Sequence, residues 1–227
     1  LPKIGMQIKK AKKMFAKAMK RHKYEGEYHY CYCTKSSHFS FVLHEALKHD
    51  IHLETSSAYD IPIIRSLAAD KKIDKSVFIL CNGFKRPMYI DGITGLINDG
   101  FENVIPILDN MNELPHYEKK IKSRKKVKVG IRIAAEEEPN FEFYTSRLGI
   151  RYDEIVDYYQ KHLRKNKRFE LKMLHFFINT GIKDTIYYWT ELAKCLKVYY
   201  ELRKICPTLN SLNIGGGMPI KTSLGFE

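Results

Sequence analysis

Seven short apolar runs, rich in β-branched and aromatic residues, recur along this chain and alternate with segments whose apolar residues repeat at helical spacing. The strand-like runs fall at about 28–34, 51–55, 77–81, 104–108, 127–133, 170–178 and 212–214. The helical segments lie at 39–49, 61–69, 88–98, 111–120, 152–164 and 183–203, the first of them built on Phe39, Val42, Leu43, Ala46 and Leu47. A lysine-rich amphipathic helix at 6–23, with Met6, Met14, Phe15, Ala18 and Met19 as its apolar residues, precedes the first run and stops at Glu25-Gly26. Such alternation with short connections predicts an α/β fold, either a wound parallel sheet or a (β/α) barrel. Seven strands are one short of the eight that close such a barrel.

At 227 residues the chain is long enough for one substantial core. Its 39 Lys and Arg against 26 Asp and Glu give a formal charge of +13, a field that attracts nucleic acid or anionic membranes. Much of the excess sits in two clusters. One holds Lys9, Lys10, Lys12, Lys13, Lys17, Lys20, Arg21 and Lys23, the other Lys119, Lys120, Lys122, Arg124, Lys125, Lys126 and Lys128. Neither carries interleaved aromatics or a nucleic-acid motif, so both read as solvated surface. Five cysteines without framework spacing point to reduced thiols inside a cell, and Cys31-Tyr32-Cys33 lacks the second pair that a metal site needs. No apolar run approaches the ~20 residues of a membrane span, and the start lacks the apolar core of a secretory signal. The expectation is a cytoplasmic protein with neither a membrane nor a nucleic-acid partner. Neither terminus has terminal character, so the chain is expected to be a piece of something longer.

Loops that follow the strands of a parallel sheet gather on one face, and the chemically informative residues lie in them. Lys35 closes the first run behind Thr34 and ahead of Ser36-Ser37. Its amine is either a solvated flank or a Schiff-base nucleophile activated by its surroundings. Gly215-Gly216-Gly217 after the last run is either a structural turn or a set of bare amides that cradle a phosphate. Together, a lysine and a glycine cradle are what pyridoxal phosphate requires.

Five elements make the pattern specific: Tyr32-Cys33-Thr34-Lys35, Leu53 to Asp60 (LETSSAYD), Leu80 to Lys85 (LCNGFK), Leu174-His175-Phe176-Phe177, and Leu212 to Gly217. In order and spacing they resemble the biosynthetic arginine decarboxylases, within the alanine-racemase-like (fold type III) group of pyridoxal phosphate enzymes. The resemblance covers nearly the whole chain. It implies a TIM-like barrel of the alanine-racemase type, incomplete at seven of eight strands and without the C-terminal β domain. Residues 1–227 would form the cofactor-binding barrel domain, with 1–25 leading into it.

The resemblance further implies that Lys35 is the catalytic residue, holding the cofactor as a Schiff base. Glu54 and Asn82 would line the cofactor pocket, Gly215, Gly216 and Gly217 would bind its phosphate, and Thr180 stands where the family has a phosphate-contacting serine. Phe177 falls where the family places a histidine that stacks on the pyridine ring; a phenyl ring can stack but moves no proton. Asn179 replaces the family's glycine. His175 shares strand parity with Phe177 and reads as a core residue or as a cofactor contact. Glu54 and Asn82 keep their bland alternatives as turn ligands, and Asp60 reads as a helix cap before Ile61-Pro62.

The implied reaction is decarboxylation of L-arginine to agmatine and carbon dioxide for polyamine synthesis, by a homodimer or larger homo-oligomer. Magnesium is a family expectation for which no ligands are assignable. The acid at the pyridine nitrogen, the arginine at the phosphate and the substrate contacts belong to parts that this sequence does not hold. A piece of this kind is expected to bind cofactor weakly and turn over little. A related decarboxylase of ornithine, lysine or diaminopimelate, and a non-catalytic homologue that binds a protein, are the alternatives.

Overall fold

The computed structural model describes residues 2–134, 148–178 and 185–216. It divides into two compact units, Leu1–Ile105 with Lys120–Lys122, and Pro106–Lys119 with Ser123–Glu227.

The first unit opens with α1 (Pro2–Arg21) and continues β1 (Cys31–Cys33), α2 (Ser40–Leu47), β2 (His52–Thr55), α3 (Asp60–Ala69), β3 (Phe78–Cys81), α4 (Pro87–Asn98) and the start of β4 (Asn103–Leu108). Helix α1 ends ahead of the expected turn, with Lys23 in the left-handed region at φ 52°. Every strand-to-strand connection contains a helix, so the strands pair in parallel: Cys33 lies opposite Glu54, and Glu54 opposite Leu80. The core joins Leu43 and Ala46 of α2, Leu53 of β2, Ile64 of α3, Ile79 of β3 and Ile93 of α4. Ile8 of α1 packs with Ala46 and Ile51.

The second unit carries the end of β4, α5 (Leu114–Glu118), β5 (Val127–Ala134), β6 (Ile150–Arg151), α6 (Ile155–Tyr158), β7 (Phe169–His175), α7 (Thr185–Ile205) and β8 (Ser211–Asn213). Ile107 of β4 pairs with Gly130 of β5, Arg132 of β5 with His175 of β7, and His175 with Asn213 of β8, all in parallel. The seven strands expected from sequence are all present, and the class is α/β. Two differences are local. Helix α5 is shorter than the expected 111–120 because Asn110 Oδ1 accepts the Asn112 N–H (2.9 Å) and Glu113 Oε1 the Asp109 N–H (3.3 Å), which holds 109–113 in a turn. The two-residue β6 joins β5 where Gly149, at φ 113°, comes so close that a Cβ would sit 2.6 Å from the Ala134 nitrogen.

The turn between β2 and α3 is fixed by one carboxylate. Asp60 Oδ2 accepts the N–H groups of Ser56 (2.7 Å) and Ser57 (2.9 Å), and Oδ1 lies 2.8 Å from His38 Nε2. The residue is the first of α3 rather than its cap, so the carboxylate reaches back to the preceding turn instead of forward to the helix amides. Replacing this buried acceptor leaves two amides unsatisfied. Asp60→Ala should cost about 2–4 kcal/mol in urea denaturation, and Asp60→Asn, which keeps one acceptor oxygen, distinctly less.

At the opposite strand ends a chain of donors runs from Phe78 N–H to His52 Nδ1 (3.4 Å), joins His52 Nε2 to His29 Nδ1 (3.1 Å) and ends with His29 Nε2 at Glu27 (3.3 Å). Because His52 Nδ1 accepts, its Nε2 carries the proton, and a second proton breaks the chain. Burial and the neighbouring His29 hold the His52 pKa below its ordinary value, against the pull of Asp50. A base whose folded pKa is depressed stabilises the fold above its unfolded value, near 6.5, and that contribution is lost as pH falls through the folded value. Urea midpoints should therefore drop between pH 7.5 and 5.5, with a shallower drop in His52→Gln.

Candidate active site

In the first unit the carboxyl ends of β1, β2 and β3 meet in a polar floor. Lys35 sits exposed in a single 3₁₀ turn, Thr34–Ser36, immediately after β1. The turn is pinned from below by buried Thr34, whose hydroxyl donates to the Glu54 carbonyl (3.0 Å). The Glu54 carboxylate is half-buried; Oε1 accepts from Asn82 Nδ2 (3.1 Å) and faces Cys33 Sγ at 3.9 Å. Buried Asn82 is itself fixed, its N–H donating to the Thr55 carbonyl (3.0 Å) and its carbonyl accepting from Tyr89 Oη (3.2 Å). The adjoining Gly83 takes φ 87°, and a Cβ there would lie 2.6 Å from the Ser56 carbonyl oxygen, so glycine at 83 is a steric requirement of this crossing.

The thiols nearby are not nucleophiles. Burial, aided by the Glu54 charge, pushes Cys31 up to about 12, and burial likewise raises Cys81 to about 12 against the opposing effects of the Thr55 hydroxyl and Lys85. Burial and then Glu54 also raise Cys33, although Ser56 and Lys35 pull it down. All three stay protonated at neutral pH, which leaves Lys35 as the exposed nucleophile type at these strand ends.

In the second unit Phe177 and the glycine turn are neighbours. Phe176 N–H donates to the Asn213 carbonyl (2.8 Å), carrying the pairing of β7 and β8 one residue further. Gly215, at φ 72°, approaches so closely that a Cβ would sit 2.7 Å from the Phe176 carbonyl oxygen and 3.6 Å from Phe177 Cα. The Gly215 N–H is engaged by Asn213 Oδ1 (2.8 Å), so Gly215 shapes the turn, whereas nothing lies within 4 Å of where a Gly216 Cβ would be. Gly216 is the member of the triplet with room beside it for an anionic group. His175 is fully buried between Arg132 and Asn213 in strand register.

Of the residues expected from sequence, Glu54 and Asn82 touch, Lys35 stands in the turn tied to Glu54 through Thr34, and Phe177 lies beside Gly215. Thr180, Asn179 and Gly217 lie outside the described residues. Two buried cations were not singled out. Arg132 has its guanidinium carbon 4.8 Å from the Phe177 ring centroid, and Lys85 lies beside Cys81. The signal for Arg132 was a charge inside the apolar run Val129–Ile133; that for Lys85 was its place in the Cys-Asn-Gly-Phe-Lys element. Among the described residues no cluster of three or more His, Cys, Asp or Glu could hold a metal, and no helix is long and apolar enough to cross a membrane.

Comparison with known proteins agrees with this geometry over nearly the full length. Residues 5–225 match the family described as pyridoxal-dependent decarboxylase, pyridoxal binding domain. The biosynthetic arginine decarboxylase of Prochlorococcus marinus is 24% identical over 227 residues, covering 94% of this chain and 34% of the relative, so the chain spans about a third of that protein's length. Among solved structures, the biosynthetic arginine decarboxylase of Campylobacter jejuni aligns with a TM-score of 0.74 at 22% identity, over 97% of this chain and 37% of the other. Diaminopimelate decarboxylase of M. jannaschii, in co-complex with L-lysine, aligns with a TM-score of 0.77 at 18% identity, over 98% of this chain and 52% of the other. These likenesses carry the fold, the α/β barrel type expected from the sequence. With its strand-end lysine turn and glycine turn inside the matched span, the chain belongs to the pyridoxal-dependent decarboxylases, and residues 5–225 are their pyridoxal-binding domain.

Proposed function

We propose that this protein is a pyridoxal phosphate-dependent decarboxylase that converts L-arginine to agmatine and carbon dioxide, working as a homo-oligomer in the cytoplasm. Residues 1–227 act as its cofactor-binding barrel domain, with 1–25 leading into it. The observation that carries the reading is Lys35, an exposed amine in the turn after β1, in a chain matched to a pyridoxal-binding domain along 5–225. The similarity to biosynthetic arginine decarboxylases over 94% of the chain favours arginine among the basic amino acids.

Lys35 would hold the cofactor aldehyde, and the Gly216 amide, with Gly217 and the Thr180 hydroxyl, would meet its phosphate. The Phe177 ring would pack on the pyridine. When bound, the cofactor supplies the electron sink for the charge left as carbon dioxide departs. The chain's own part is to hold and orient. Thr34 fixes the lysine turn, and Asn82 and Cys33 brace the Glu54 carboxylate, so a negative group stands at a set position beside the turn. Besides holding the aldehyde, the Lys35 amine would be able to move a proton at the reacting carbon.

A second reading, a homologue that binds without turnover, draws on Phe177, whose ring faces the Arg132 guanidinium where the resemblance places an imidazole. A substrate panel scored by carbon dioxide release separates arginine from ornithine, lysine and diaminopimelate, and separates turnover from its absence.

Addition of excess pyridoxal phosphate should give protein-bound visible absorbance, and borohydride followed by peptide mapping should place the label on Lys35. Label on any other lysine overturns the assignment, and Lys35→Ala should abolish both signals. Phe177→Ala should weaken cofactor binding roughly fivefold to tenfold, the equivalent of about 1 kcal/mol of ring packing, in an absorbance titration.

A further inference from the structure

Helix α1 is fastened to the first unit by one face and turns its charge outward on the other. Ile8 is buried against Ala46 and Ile51 with half-buried Ile4 beside it, and half-buried Lys12 donates to the His49 (3.0 Å) and Asp50 (2.7 Å) carbonyls. Phe15 stacks on Tyr28 with ring centroids 4.0 Å apart. The outer face carries Lys3, Met6, Lys10, Lys13, Lys17 and Lys20, all exposed, at steps that alternate three and four residues and so keep them in one row. Exposed Met14 and Arg21 flank the row. No acidic residue occurs in α1, and among the described residues its ion pair is that of Lys12 with Asp50 (3.4 Å), away from this face. The row is therefore an uncompensated cationic edge.

We propose that this face docks the protein on an anionic lipid surface. The row runs about 26 Å from Lys3 to Lys20, so it meets a plane along its whole length but a nucleic-acid backbone only where the two cross. Its cations are lysines except for Arg21, and no aromatic stands among them, so the face lacks the guanidinium forks and stacking rings that hold nucleic acid. Met6 and Met14 are instead 63 and 62% exposed between the cations. A phosphate backbone gives a thioether chain no partner, whereas the boundary between headgroups and acyl chains takes it in while the lysines beside it meet the headgroup charge. Each lysine held near an anionic leaflet contributes roughly a fivefold gain in partition, and the cations of this row act together because the fold aligns them on one edge. Sequence alone counts this cluster as solvated surface; the alignment is what the fold adds.

The full chain should sediment with phosphatidylcholine vesicles that contain a third of phosphatidylglycerol, stay in solution with phosphatidylcholine alone, and be released by added salt. Joint substitution Lys10→Gln, Lys13→Gln and Lys17→Gln should weaken this binding roughly a hundredfold. The same change at Lys122, Lys125 and Lys126, exposed in the other basic cluster, should weaken it far less, and both triples should keep the circular dichroism of the parent. Met6→Ser with Met14→Ser, which leaves every charge in place, should weaken vesicle binding several-fold and leave any affinity for duplex RNA unchanged. Failure to bind the anionic vesicles at low salt overturns the proposal, as does equal binding to neutral vesicles or an equal loss from the two lysine triples. So does a duplex RNA that binds the chain more tightly than the anionic vesicles and loses it to the same α1 triple.

Discussion

Parallel pairing is the constraint from which the rest follows. A parallel neighbour cannot be reached by a tight turn, so each strand needs a longer crossover, a helix at every step of the first unit, and the carboxyl ends of neighbouring strands collect on one side of their unit. Backbone amides in the loops leaving those ends have no strand partner and must find acceptors elsewhere. In the first unit they find Asp60, which takes the Ser56 and Ser57 amides, and Thr55, whose carbonyl takes the Asn82 amide. The side chains left over at that edge are the ones able to do chemistry.

The electrostatics of this edge separate two nucleophile types that the sequence places side by side. Cys31, Cys33 and Cys81 lie among apolar strands near the Glu54 carboxylate, and both burial and that charge disfavour a thiolate. Lys35, two residues beyond Cys33, is exposed in the turn after β1, where an incoming carbonyl can reach its side chain. Burial, with the Glu54 charge adding to it, thus keeps the thiols silent, and that carboxylate is itself held in place by an amide donor from the next strand's loop.

How much was legible follows from which forces act locally. The strands were visible because short runs rich in apolar, β-branched and aromatic residues sit between turn signals, and the helices because one buried face writes a period of 3.6. Helix α5 was overestimated because Asn110 and Glu113 compete for backbone amides, a contest that apolar periodicity does not register. Strand β6 is two residues long and depends on Gly149 touching Ala134, a contact remote in sequence. At the site, Lys35, Glu54 and Asn82 were legible by position, but the engagement of the Gly215 amide by Asn213 was not, since it depends on a side-chain rotamer. Arg132 escaped because an arginine in a buried strand is read first as an interruption.

Arg132 and Phe177 also show what the departure from histidine does physically. A buried guanidinium cannot shed its proton, so its neighbours must tolerate a permanent cation. An imidazole in its place against Arg132 would be held neutral by that charge, its titration pushed away from physiological pH. The phenyl ring offers instead its negative face at 4.8 Å, an interaction worth about 1 kcal/mol at a half-buried ring and independent of pH. A phenyl ring rather than an imidazole leaves no titratable side chain at position 177 beside the fixed cation, while keeping a flat ring at the end of β7.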